Sequence, residues 1–177
     1  MSSVITHEQR KEFLTKRLRE AIAKQPELEQ LNTLLLGLDG EFLVPRPDDY
    51  AMFLLEHGFL TAGPITMHKM DPGSCHYNVA ILWKERQQGI VAIATGYALS
   101  DDGSWVQHSC GILRDGVLET TEPRSKYFGV VLQGREADLF AANELDEKLP
   151  SVRTRLSFRH FEVGNVPGSM HQRWQIE

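Results

Sequence analysis

Apolar residues recur at helical spacing through the first sixty positions and then give way to strand-like runs. Phe13, Leu14, Leu18, Ala21 and Ile22 fall three or four apart, which predicts a helix reaching about Lys24. Thr6 with Gln9 forms a capping box at its start. Pro26 opens a second helix over PELEQLNTLLLGL, ended by Gly37 or Gly40. After the turn LVPRPDDY, Asp48 caps a third helix, YAMFLLEH, which Gly58 closes.

Beyond Asp71 the pattern changes. Ser74 is placed to cap a helix from Cys75 to about Arg86, with Val79, Leu82 and Trp83 as its apolar stripe and Gly89 past its end. GIVAIATGYAL is β-branched and apolar enough for a buried strand. The turns DDG at 101–103 and RDG at 114–116 bracket a second strand, SWVQHSCGIL. VLETT and YFGVVL follow as strands, ADLFAANELDE as a short helix, and RTRLSFRHFEV as a C-terminal strand with one exposed face. There is no internal repeat or linker. The expected architecture is α+β in a single domain, residues 1–177. It comprises a helical part over 1–60, a core over 71–132 where the Cys-bearing helix packs on an antiparallel sheet, and a strand and tail over 150–177.

Composition narrows the partners. The 177 residues suit one domain, and 41% hydrophobic with 24% charged residues is ordinary for a soluble protein. A formal net charge of -5, with both signs interspersed, predicts neither nucleic acid nor membrane as a partner. The locally basic ITHEQRKEFLTKRLREAIAKQ is expected to be the solvated face of its helix. The start lacks a basic segment followed by an apolar run, and no apolar stretch is long enough to span a bilayer. Two cysteines, Cys75 and Cys110, make no disulfide framework, so a reducing cytoplasm is the expected compartment. Composition leaves the oligomeric state open.

Cys75 then admits three readings: a small buried hydrophobe, a metal ligand or a nucleophile. In the first turn of a helix the amide dipoles favour a thiolate, and free amides there can receive an oxyanion. His108, inside a strand between Trp105 and Cys110, supplies the base that such a thiol needs.

The order of these segments resembles the transglutaminase-like cysteine enzymes of the papain-like group. That family has G-x-C at a helix start with a nearby alanine, then a Gly-Ile pair leading into a strand that ends Gly-Tyr. A Trp-rich turn, a strand histidine, a Gly-containing turn and an acid followed by threonine complete the order. Here these are GSCHYNVAIL, GIVAIATGYAL, SWVQHSCGIL and DGVLETT, covering Gly73 to about Thr121. The resemblance implies Cys75 as nucleophile, His108 as base and Glu119 as the acid behind it, where the family usually has aspartate. It also implies a papain-like fold, attack on an amide or peptide carbonyl through a thioester, and no cofactor. The implied activity is that of a peptidase, amidase or deamidase, with transamidation if the acceptor is an amine, and the substrate is a peptide, a protein or a small amide.

Strand geometry sets a condition on Glu119. If Asp115-Gly116 is a two-residue loop, Glu119 faces Ile112, roughly 13 Å along the strand from His108. A longer loop, or a bulge near Gly111, brings it to a diagonal of His108. Thr121 shares that face, and Glu122 reaches it through a bulge, so both are alternatives for the group that orients His108.

Two other functions use the same residues. Cys75 with His76, and His108 with Cys110, form two pairs of zinc ligands in the second reading. In the third, the domain is a binding or scaffolding module without catalysis. Tyr97 and Trp105 are expected in the core, Asn78 on an exposed helix face and His57 at a helix C-terminus. His7, His68, His160 and His171 have no partner that the sequence names.

Overall fold

The computed structural model describes residues 6–61 and 63–146. The elements run α1 (His7–Ile22), α2 (Glu27–Leu38), β1 (Phe42–Leu43), α3 (Ala51–His57), β2 (Phe59–Thr61) and β3 (Ile65–Met67). Then come α4 (Cys75–Lys84), β4 (Ala92–Leu99), β5 (Ser104–Ile112), β6 (Val117–Glu119), β7 (Lys126–Leu132) and α5 (Gly134–Leu145). The strand expected over RTRLSFRHFEV, with the rest of 150–177, lies outside the described residues.

Local signals set the helix starts. The Thr6 hydroxyl accepts the Gln9 amide at 3.2 Å and Gln9 Oε1 accepts the Thr6 amide at 3.0 Å, closing the capping box. Pro26 stands at the cap of α2, where a missing N–H costs nothing. The third helix begins at Ala51, slightly later than expected. Asp48 still caps its approach by accepting the Tyr50 amide at 2.9 Å, and its other oxygen accepts the Tyr97 hydroxyl at 2.7 Å.

The sheet is mostly antiparallel, in the order β2-β7-β4-β5-β6-β3, with β1 beside β5. The pairings β1–β5 and β3–β6 are parallel, a departure from the expected antiparallel sheet. The two end strands β2 and β3 are neighbours in the chain, separated only by residues 62–64, so the sheet curls back on itself. Gly96 pairs across to His108 on one side and Gly129 on the other. A Cβ on Gly96 would lie 2.4 Å from Phe128 O and 2.6 Å from Gly129 Cα. The bare backbones therefore let the curl tighten at the row that carries His108.

Strand alternation divides the buried residues into two sets. Ile93, Tyr97, Leu99, Trp105, Phe128, Val130 and Leu132 face the helices, where Leu28, Leu31 and Leu35 of α2, Val79 and Trp83 of α4, and Phe140 of α5 complete one core. Burying each large aliphatic side chain there contributes about 1.5–3 kcal/mol. Ala92, Ala94, Ala98, Cys110, Ile112, Val117 and Tyr127 face the other way and form a second cluster drawn from strands alone. They bury one another across the curl. Tyr97 and Trp105 are core residues as expected, with the Trp105 indole donating to Asp39 O at 2.7 Å. No helix among the described residues is long and apolar enough to cross a membrane.

Candidate active site

β4 pairs with Trp105–Ile112 of β5, but the opposite edge of β5 is only partly occupied. There β1 reaches Ser104 and Trp105, and β6 reaches Gly111 and Ile112. Between them, Val106–Cys110 has no strand partner on that edge among the described residues. Helix α4 packs against β5, and its first residue, Cys75, meets His108 in this gap.

The segment leading to Cys75 is laced to the strand that carries the acid. His68 N donates to Glu119 O and Met70 N to Thr120 O, both at 2.8 Å. Asn78 Nδ2 donates to Asp71 O at 2.9 Å and reaches Thr120 Oγ1 at 3.5 Å. Asn78 is buried, not on the exposed face expected for it, because one turn into α4 its amide ties the approach loop to β6. Ser74 occupies the cap position, but its side chain makes no capping hydrogen bond.

The β5–β6 register resolves the geometry of Glu119. Ile112 pairs with Val117 and Gly111 with Leu118, and Leu113 N donates to Gly116 O at 2.9 Å. The loop is thus 113–116, longer than Asp115-Gly116 alone. Continuing the register sets Glu119 opposite Cys110, a diagonal from His108. His108 Nε2 and Glu119 Oε2 are 2.8 Å apart, and both side chains are almost wholly buried, at 2% and 0% exposure.

Glu119 is supported on every side. Its Oε2 also accepts the Tyr127 hydroxyl at 3.0 Å. Its Oε1 accepts Thr120 N at 2.8 Å, Thr121 N at 3.0 Å and Thr121 Oγ1 at 3.1 Å. Burial pushes the Glu119 carboxyl up, but hydrogen bonding and charge from His108, then Thr121 and Tyr127, hold it below its ordinary value. Of the three groups weighed for orienting His108, Glu119 is the one against it. Thr121 supports Glu119, and Glu122 points to solvent, paired with Arg124 at 2.6 Å.

With Nε2 engaged by Glu119, Nδ1 is the ring nitrogen left for Cys75. Burial pushes the Cys75 thiol up, yet hydrogen bonds with His108 and His76 prevail and bring it down to about 5. Burial pushes His108 down, but Cys75 and Glu119 bring it up to about 9. These shifts favour a thiolate facing an imidazolium.

Tyr127 and the thiol contact of His76 are absent from the sequence expectations. Cys75 Sγ lies 3.1 Å from His76 Nδ1. A tyrosine at inward parity beside an acid-bearing strand was the available signal for Tyr127, but it depends on knowing that β7 and β6 approach each other across the curl.

The four zinc-ligand candidates are arranged differently from the metal reading. Cys110 is enclosed in the apolar cluster, and burial raises its thiol pKa well above the ordinary value. Among the described residues, no group of three or more His, Cys, Asp and Glu side chains is placed to hold a metal ion. Both cysteines are free thiols. Elsewhere, His57 ends α3 as expected, and His7 has a partner after all, lying 3.3 Å from Glu41. His160 and His171 lie outside the described residues.

No protein family, curated protein or solved structure matches this chain.

Proposed function

We propose that the chain is a cysteine-dependent acyl-transfer enzyme with a papain-like core of the transglutaminase-like type, acting on an amide or peptide bond. The observation that carries this is the line from half-buried Cys75 through His108 to a Glu119 whose carboxylate accepts five hydrogen bonds. The Cys75 thiolate attacks the carbonyl carbon. Negative charge moves to the carbonyl oxygen, and the first-turn amides stand ready to receive it. The earliest hydrogen bond closing α4 is Asn78 N to Ser74 O at 2.8 Å, so the amides of Cys75, His76 and Tyr77 precede the helical ladder.

Collapse of the tetrahedral adduct breaks the C–N bond, and His108 gives its proton to the departing amine. Glu119 keeps the ring oriented and compensates its charge. The thioester then passes its acyl group to water or an amine. With water the protein is a peptidase, amidase or deamidase, and with an amine it is a transamidase. Water is the simpler acceptor and the one we favour. The reaction draws on these side chains, the first-turn amides and the acceptor.

Iodoacetamide labelling at about pH 6 tests the reading. A free thiol of pKa about 8.5 is roughly 0.3% ionised there, whereas the Cys75 thiol is mostly ionised. Cys75 is expected to label rapidly, and His108→Ala to slow that labelling, with turnover sought across peptides, simple amides and thioesters. An inert Cys75 in the folded protein would sink the enzyme assignment. A reactive Cys75 without turnover on any of the three classes would favour a binding module, and stoichiometric zinc by elemental analysis would favour the metal reading.

A further inference from the structure

Resting on the acyl-transfer reading, we propose that His76 is a second catalytic base, serving the acyl acceptor while His108 serves the leaving group. Two imidazoles face one sulfur, for Cys75 Sγ is 3.1 Å from His76 Nδ1 and also meets His108. Their surroundings differ. His108 is enclosed by the curled sheet, with Nε2 held by Glu119 and only the other nitrogen turned to Cys75. His76 is half-buried, its ring tilted against Phe140 with 6.2 Å between centroids, and its Nδ1 has the sulfur as its contact.

An acceptor arriving from solvent therefore meets the more exposed ring. Once Cys75 is acylated, the thioester carbon is one bond from Sγ, so a water between that carbon and His76 is within hydrogen-bond reach of Nδ1. Before acylation Nδ1–H donates to the thiolate; the acylated sulfur carries no charge to hold that proton, so the neutral ring can carry its proton on Nε2 and accept at Nδ1. The water gives one proton to Nδ1 as its oxygen bonds to the carbonyl carbon. The C–S bond then breaks, its electron pair leaving with Cys75 as thiolate. The product departs as a carboxylic acid, and His76 returns its proton to solvent. Each proton and electron pair is accounted for without a co-reactant other than water.

The test uses p-nitrophenyl acetate as an activated acyl donor, following nitrophenol release and the mass of acetylated protein. In His76→Ala, acetylation of Cys75 is expected to slow only in proportion to the thiolate fraction that iodoacetamide labelling reports, while deacetylation slows by a further factor of roughly 10² or more. Acetyl-enzyme accumulates, and kcat falls far more than kcat/KM does. Hydroxylamine is a strong nucleophile that needs no base, so it is expected to clear the acetyl group from the variant as fast as from wild type. Deacetylation at the wild-type rate in His76→Ala overturns the proposal, as does a variant in which both half-reactions slow equally or hydroxylamine gives no rescue. A wild-type Cys75 that takes up no acetyl group overturns the acyl-transfer reading itself, a result distinct from any of these.

Discussion

The two faces of the curled sheet are built on opposite terms. The face toward the helices is large and mostly apolar, with Trp105, Phe128, Ile93 and Leu132 in one core with residues of α2, α4 and α5. On the inward face β4 contributes only small residues, Ala92, Ala94, Gly96 and Ala98, and the chain His108–Glu119–Tyr127 interrupts the apolar cluster. This cluster is smaller, with only Ile112, Val117 and Val131 as branched aliphatic side chains, so its apolar burial is modest. What it supplies instead is a dry place in which a carboxylate can be held by fixed donors. The outer face stabilises the fold, and in the proposed enzyme the inner face orients the chemistry. Substitutions on the two sides are therefore expected to separate stability from reactivity.

The largest expected effect is on the inner side. His108→Ala should reduce acyl transfer by roughly 10²–10⁴-fold, about 3–5 kcal/mol of barrier, measured as kcat/KM on whichever substrate the wild type turns over. Comparable loss from an outer-face change in a protein that stays folded would break the comparison. Next comes Glu119→Gln, which removes a buried charge from beside His108 and should cost about 3 kcal/mol in urea unfolding. It should also displace one limb of the pH profile. In the wild type the reactive thiolate–imidazolium pair forms as pH rises through about 5, where Cys75 ionises, and is lost above about 9, where His108 deprotonates. Without the Glu119 charge the upper limb should move down toward the ordinary histidine range, as the pH dependence of kcat/KM would record.

On the outer side, Leu31→Ala in α2 should cost about 2–4 kcal/mol in the same unfolding measurement. Labelling of Cys75 per folded molecule should be unchanged. A shifted labelling profile in that variant would show that the helical layer tunes the site. The smallest effect is expected from Tyr127→Phe. It removes one of five donors to Glu119 and should cost about 1.5 kcal/mol in stability, with a few-fold change in rate. A loss as large as that of His108→Ala would place Tyr127 in proton transfer, not support.

The sequence made the helices and the long strands legible because each spans enough residues to express a period. Thr6, Pro26 and Gly58 marked boundaries by local chemistry alone. β1, β2 and β3 are two or three residues long, too short for alternation to stand out, and their pairing is decided by partners far along the chain. Cys75 and His108 were visible as residue types in suggestive places. Glu119 was visible only on the condition that the 113–116 loop exceed two residues, which no local rule required. Asn78 departs from the exposed position expected of it because its acceptor, Asp71 O, belongs to a loop with no periodic signal, whereas a polar side chain on a helix normally faces water. Tyr127 needed the curl itself to be known.

The gap along Val106–Cys110 ties the thiol's acidity to the docking of α4 on β5. Cys75 comes from a helix between β3 and β4 in the chain, and it meets His108 only once that helix has docked against a sheet already bent. A collapsed but incompletely docked chain keeps an ordinary thiol, ionising near pH 8.5. Pulse labelling at about pH 6 during refolding would then count only fully assembled molecules. The cysteine gives the folding reaction a chemical clock, set by closure of one seam rather than by burial of the core.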